Sequence, residues 1–239
     1  MKFIKKNRLK VFAFCISAIF LTTVLAYHEV DNSLTEEDKQ YIVKYLEETD
    51  ILTLPKERTF KDELNFIVQA QNAVLKVAPA NEGIPFNTKR GPKELYLAKT
   101  GLCYDRSRVI EKILRYSGFR TRHISIFSKK QTHSSLKSLL TSRISSHAVT
   151  EVLTLRGWLV VDSNSRWVSI NDQGSPVSID QICSDGHTGK ISWNMQPPSK
   201  IYKEPFVFVY GLYSRHGRFY PPYNFLPDVN YKELIQNVL

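Results

Sequence analysis

A thiol does chemistry when three conditions meet. Its pKa must be lowered, a base must lie within hydrogen-bond reach, and a third group must orient that base. Cys103 has the setting for the first. The Thr100-Gly101-Leu102 stretch leads into it, and Tyr104–Tyr116 carries Val109, Ile110, Ile113 and Leu114 at helical spacing. A cysteine at a helix start feels the free N–H groups and the positive dipole end, which favour thiolate and offer donors for an oxyanion. The base would be a histidine, with His28, His123, His133, His147, His187 and His216 as the candidates. His147 opens the apolar run Ala148-Val149-Thr150-Glu151-Val152, and Asp162 closes the run that starts at Trp158. Paired across an Arg156-Gly157 turn, the two side chains approach one end of a hairpin. Asp162 could then accept the imidazole N–H and fix its tautomer. His147 stands nine residues before Arg156 and Asp162 five after Gly157, so this register asks for a bulge or a frayed strand start.

The elements that must hold these groups are legible on either side. Ser33 to Asp38 reads as a helix start, with hydroxyl caps followed by acids, and that helix runs on through Tyr41, Val43 and Leu46. Leu52-Thr53-Leu54-Pro55 breaks it. A second helix is predicted from about Thr59 to Ala78, stopped by Pro79. Ala80–Pro92 is punctuated as loop, and Lys93–Lys99 reads as a short helix. Gly118 stands where a helix C′ glycine belongs. Arg120–Phe127, Ala148–Leu155 and Trp158–Asp162 read as strands, with a Ser/Thr/Lys-rich loop at Ser128–Ser145. Further on come a small helix near Pro176–Cys183, a strand at Phe206–Tyr210, an aromatic and proline-rich stretch from Tyr210 to Phe225, and a closing helix at Tyr231–Leu239. Helices first and antiparallel strands after give an α+β class.

Four segments in order carry a resemblance. They are Gly101-Leu102-Cys103-Tyr104-Asp105; Arg115 through Gly118-Phe119-Arg120-Thr121-Arg122; His147-Ala148-Val149-Thr150-Glu151-Val152; and Gly157-Trp158-Leu159-Val160-Val161-Asp162. The set resembles the transglutaminase-like superfamily over roughly residues 60–170. The resemblance implies a papain-like fold in which the Cys-bearing helix packs on an antiparallel sheet carrying His and Asp. It also implies Cys103 as nucleophile, His147 as base and Asp162 as orienter, with acyl transfer or amide hydrolysis through a thioester. The substrate would be a peptide or protein amide, and no cofactor or metal is implied. Some members set a polar side chain near the oxyanion from the upstream helix, which here points to Gln71 rather than Gln69. Two departures leave the substrate open. Ser163-Asn164 follows Asp162 in place of Pro-Thr, and Tyr104-Asp105-Arg106-Ser107-Arg108 is bulkier and more charged than the usual run. The non-enzymatic alternative is an inactive scaffold or binding module in envelope or polysaccharide assembly.

Charge and the N-terminus bear on location. The chain of 239 residues has a formal net charge of +10, and Lys2, Lys5, Lys6, Arg8 and Lys10 supply half of it. The remaining surplus is mild and reads as a solvated surface, with anionic lipid or polysaccharide as the functional alternative. No nucleic-acid motif is present. Val11–Tyr27 is uncharged. Residues 1–30 therefore read as a hydrophobic helix, either an uncleaved membrane anchor or a signal peptide with a cleavage sequence at Val24-Leu25-Ala26. Both readings put the 31–239 domain on the extracytoplasmic side. Cys183 and His187 have the spacing of a metal half-site without a second pair.

Overall fold

The computed structural model describes residues 2–49, 54–84, 90–141, 143–213 and 227–238. The predicted break at Leu52-Thr53 and the aromatic tail around Arg215-His216-Gly217-Arg218 and Pro221-Pro222 lie outside the described residues, as does the middle of the Ala80–Pro92 loop. Helix α1 spans Lys2–Tyr27, α2 Glu36–Glu47, α3 Phe60–Val77, α4 Pro92–Ala98 and α5 Cys103–Tyr116. Strand β1 (Arg120–Ser128) follows, then α6 (Ser135–Leu140), β2 (Ser146–Thr154), β3 (Gly157–Val161) and α7 (Ile179–Asp185). β4 (Phe206–Tyr210), β5 (Leu212–Tyr213), β6 (Asp228–Val229) and α8 (Tyr231–Leu234) complete the order.

Local chemistry sets the boundaries. Thr35 and Thr59 close capping boxes with Asp38 and Asp62, satisfying the first N–H groups of α2 and α3. Gly118 ends α5 at φ 84°, in the left-handed region that glycine enters without penalty. Gly101 is required by close approach, because a Cβ there would lie 2.5 Å from Leu95 Cδ1 of α4. That glycine lets the chain turn tightly into Cys103.

The main sheet is antiparallel with order β3-β2-β1-β4. One face packs on the helices: Val152, Leu159 and Val161 meet Phe66, Ile67, Ala70 and Val74 of α3 and Val109, Ile110 and Ile113 of α5. On the other face Ile124, Ile126, Val149 and Val160 meet Trp167, Ile179, Ile182, Ile201, Tyr202 and Phe206. The α+β class and the helix-on-sheet core are thus observed. The region after residue 170 is a structural layer of its own. It covers the second face of the sheet and adds β4 beside β1.

The segment after α1 meets the strand β6. Glu29 bridges Val229 in parallel, Val30 N–H donates to Val229 O at 2.8 Å, and His28 Nδ1 lies 3.0 Å from Asp228 Oδ1.

The N-terminal segment is helical, and Phe12, Phe14, Ile19, Phe20 and Leu21 of α1 are exposed. Yet among the described residues no helix is long and apolar enough to cross a membrane. The transmembrane helix expected from sequence is therefore unsupported. The uncharged stretch is only 17 residues, the low edge for a bilayer core of about 30 Å. Thr22 and Thr23, whose hydroxyls bond back to Ala18 O and Ile19 O, dilute it further.

Candidate active site

Cys103 is the first residue of α5, and the turn before it is held from three sides. Leu102 N–H donates to Asp105 Oδ2 at 3.0 Å, so the first turn of the helix caps itself. Asp105 is fully buried and ion-paired to Arg90, whose Nη2 also donates to Ile84 O at 2.9 Å. Arg106 is buried with its fork spread over two loops. Nε donates to Ala78 O and Nη2 to Ala80 O, both at 2.8 Å, and Nη1 to Asn164 Oδ1 at 2.7 Å. The charged run after the cysteine, a departure from the family pattern, is thus the joinery that ties α5 to the segments around it.

The structure brings His147 and Asp162 together. His147 Nε2 donates to Asp162 Oδ2 at 2.8 Å, with both side chains nearly removed from solvent. No bulge is needed. β2 and β3 pair Thr150 with Val161 and Thr154 with Gly157, so His147 and Asp162 share one face as diagonal neighbours two positions apart. That spacing is within reach of an imidazole and a carboxylate. β2 pairs with β1 along Ser146–Leu153, His147 facing Ile126.

Electrostatics links the three groups. Burial pushes the Cys103 thiol up, but a hydrogen bond to His147, the imidazolium charge and the N–H groups of Ala148 and Tyr104 together hold it below its ordinary value. Burial pulls His147 down, and bonds to Asp162 and Cys103 with their charges outweigh it, raising the imidazole to about 10. Burial likewise opposes the carboxylate, yet His147 and Tyr202 bring Asp162 to about 2. These opposed directions describe a thiolate–imidazolium pair backed by a carboxylate. Nε2 is taken by Asp162, which leaves Nδ1 for the sulfur.

Two further residues hold Asp162. Tyr202 lies in a 3-10 turn at Lys200–Lys203 and is fully buried. Its hydroxyl donates to Asp162 Oδ2 at 2.6 Å, and its ring stands edge-on to His147 with centroids 6.0 Å apart. Nothing local in the sequence marks Tyr202, because its partner is 40 residues away and the link exists only in three dimensions. Gln71, expected near the oxyanion, lies elsewhere. Its Nε2 donates to Asp162 O, Ser165 O and Trp167 O at 2.7, 2.9 and 2.8 Å, so its donors fasten the loop behind Asp162. The carboxylate caps the same loop, Oδ1 accepting from Asn164 N–H and Ser165 N–H at 2.8 Å each. The Ser163-Asn164-Ser165 segment is thus held by the Asp162 carboxylate itself. Tyr202→Phe is expected to slow reaction at Cys103 about tenfold, the worth of about 1.4 kcal/mol for one hydrogen bond to a charged group. A thiol-probe rate within twofold of wild type would count against this role.

The remaining candidates lie apart. Cys15, Cys103 and Cys183 are all free thiols, and Cys183 Sγ lies 3.4 Å from Phe206 O, its thiol pushed up by burial. His123 is buried under Tyr213, ring centroids 4.1 Å apart, and burial holds it down at about 3, so it stays neutral. His216 is outside the described residues. Among the described residues, no three His, Cys, Asp or Glu side chains are grouped to hold a metal ion.

The family model for the transglutaminase-like superfamily matches residues 56–163, a span that holds Gln71, Cys103, His147 and Asp162 but not Tyr202. No curated protein matches the chain. Among solved structures, a chain from "Crystal structure of Rad4-Rad23 bound to a 6-4 photoproduct UV lesion" is similar at 12% identity with a TM-score of 0.38. The similarity covers 74% of this chain and 44% of that one, so this chain spans less than half of that chain's length.

Proposed function

We propose, on the premise that residues 56–163 belong to the transglutaminase-like superfamily, that the protein is a cysteine-dependent enzyme of acyl transfer or amide hydrolysis acting on a peptide-like substrate. The observation that carries the reading is the chain of contacts from Cys103 through His147 to Asp162, with the thiol lowered and the imidazole raised. In the proposed cycle the Cys103 thiolate attacks the amide carbonyl carbon, and negative charge moves to the carbonyl oxygen. In this cycle N–H groups at the start of α5 receive that oxygen. The tetrahedral intermediate collapses, the C–N bond breaks, and the imidazolium gives its proton to the departing amine. A thioester on Cys103 remains. Water, or an amine, then attacks it while neutral His147 takes the proton, and the acyl group leaves as acid or new amide with the thiolate restored. Asp162 keeps the imidazole oriented and offsets its charge throughout.

The test is labelling by a peptide-based thiol probe. Cys103→Ala should abolish it with the fold intact. Labelling that persists at Cys183 alone would overturn the reading and favour a scaffold.

The proposed setting is the extracytoplasmic side of a membrane. Support comes from the five cations that precede the uncharged run of α1. Protease added to cells stripped of any outer barrier should degrade the domain; full protection would rule this setting out.

A further inference from the structure

At the end of the sheet away from Cys103 lies a cavity of about 330 Å³, floored by the starts of β1 and β3 and crossed by α8. Trp158 in its lining pairs with Leu153, six residues along β2 from His147, or about 20 Å by strand rise.

Donors crowd this lining. Arg115 of α5 is held rigid, its Nη2 2.8 Å from Glu111 Oε1 and 2.6 Å from Glu233 Oε1, and its Nε on Thr121 Oγ1 at 2.7 Å. Arg120 and Lys232 also line the cavity and have no acidic partner among the described residues. The Arg120 guanidinium stands 5.9 Å from the Trp158 ring, and the Arg122 guanidinium, paired with Glu151, stacks on that ring at 4.1 Å. Gln236 receives Arg122 on its oxygen at 3.4 Å, which leaves its amide N–H free to face a ligand.

Glu233 is the one acid in the lining, and its oxygens are already committed. Oε1 accepts from Asn32 Nδ2 at 3.0 Å and from Arg115, and Oε2 from His123 N–H at 2.9 Å and Tyr213 Oη at 3.2 Å. Two carboxyls, Glu111 and Glu233, share one close cation, Arg115. Burial and then the Glu111 charge push Glu233 up to about 8. Of the other groups around it, His123 and Tyr213 are neutral at pH 7, and the Arg108 guanidinium lies 5.4 Å from the Tyr213 ring. Near neutral pH Glu233 is therefore largely protonated, and it does not compensate Arg120 and Lys232.

We propose that this cavity is a second binding site, for a small anionic saccharide unit whose carboxylate or phosphate pairs with Arg120 and Lys232 while its ring lies along Trp158 on the side away from Arg122. Forked cations match such oxyanions, and an indole face suits the apolar face of a sugar ring. The site is independent of the function proposed for Cys103.

The test is titration of the full chain with glucuronate, glucose 6-phosphate and glucose, followed by calorimetry. Both anions should bind at pH 7 and glucose should not. Lys232→Glu and Arg120→Glu should each weaken binding at least tenfold while leaving the rate of Cys103 alkylation unchanged. Affinity should fall from pH 7 to pH 9, as Glu233 loses its proton. Equal binding of glucose, no binding of either anion, or binding that survives both charge reversals overturns the proposal.

Discussion

Iodoacetamide is expected to label Cys103, in a Cys15→Ser, Cys183→Ser background, at a rate that rises less steeply between pH 6 and pH 8 than that of an ordinary thiol. An ordinary thiol with a pKa near 8.5 gains about tenfold in thiolate for each pH unit below it, so its rate would rise close to a hundredfold over that range. The sign follows from the lowered Cys103 pKa. A thiol whose pKa is depressed keeps its thiolate as pH falls, and the rate drops only once pH passes below the shifted value. His147, raised to about 10, stays protonated and paired over the whole window. Cys103→Ala should abolish labelling in this background. His147→Ala removes the imidazolium that stabilises the thiolate, so the steep pH dependence of a free thiol should return. A tenfold rise per unit in the unmutated background would sink the ion-pair assignment.

Asp105→Ala should destabilise the protein by about 3–5 kcal/mol, the range for removing one partner of a buried ion pair. Two losses combine at this position. Arg90, 5% exposed at its side chain, would lose this carboxylate. Leu102 N–H would lose its cap at the start of α5. Asp105→Asn retains an acceptor for that N–H and should cost less. Urea unfolding followed by far-UV dichroism measures both, and a loss below 1 kcal/mol for the alanine variant would show that the pair contributes little. The same substitution frees the turn that aims Cys103, so the alanine variant should also label more slowly.

Most of the site was legible because its residues open or close regular elements. Cys103 follows a glycine forced by close approach and begins a helix whose apolar face is plain in the sequence. Hydroxyl caps and acids between Ser33 and Asp38 announced α2, and the helical spacing of Leu64, Ile67, Val68, Val74 and Leu75 before Pro79 announced α3. The diagonal relation of His147 to Asp162 was not legible. Counting residues from the turn assumes directly opposed partners, whereas side chains two positions apart still share a face. Gln71 was singled out for the right helix but the wrong neighbour, since the carbonyls it binds belong to a loop whose path only the fold sets. Tyr202, Arg106 and Glu233 were invisible as site residues for a common reason. Each acts across a long stretch of chain, and nothing in the residues beside it records the partner.

The pairing of residues 28–30 with residues 228 and 229 imposes an order in time, because 200 residues separate His28 from Asp228. The β1–β2–β3 hairpins and the helices that cover them can close while synthesis continues, because their contacts are nearer in sequence. The segment after α1 waits, unpaired, until residues 228 and 229 have been made. Only then does α8 settle beside β4, bringing Glu233 to Arg115. A nascent chain stalled before residue 227 therefore holds Cys103, His147 and Asp162 but lacks the strand that fastens the segment after α1. For this protein, assembly of the candidate site and docking of the segment after α1 are separate events, and the second comes later.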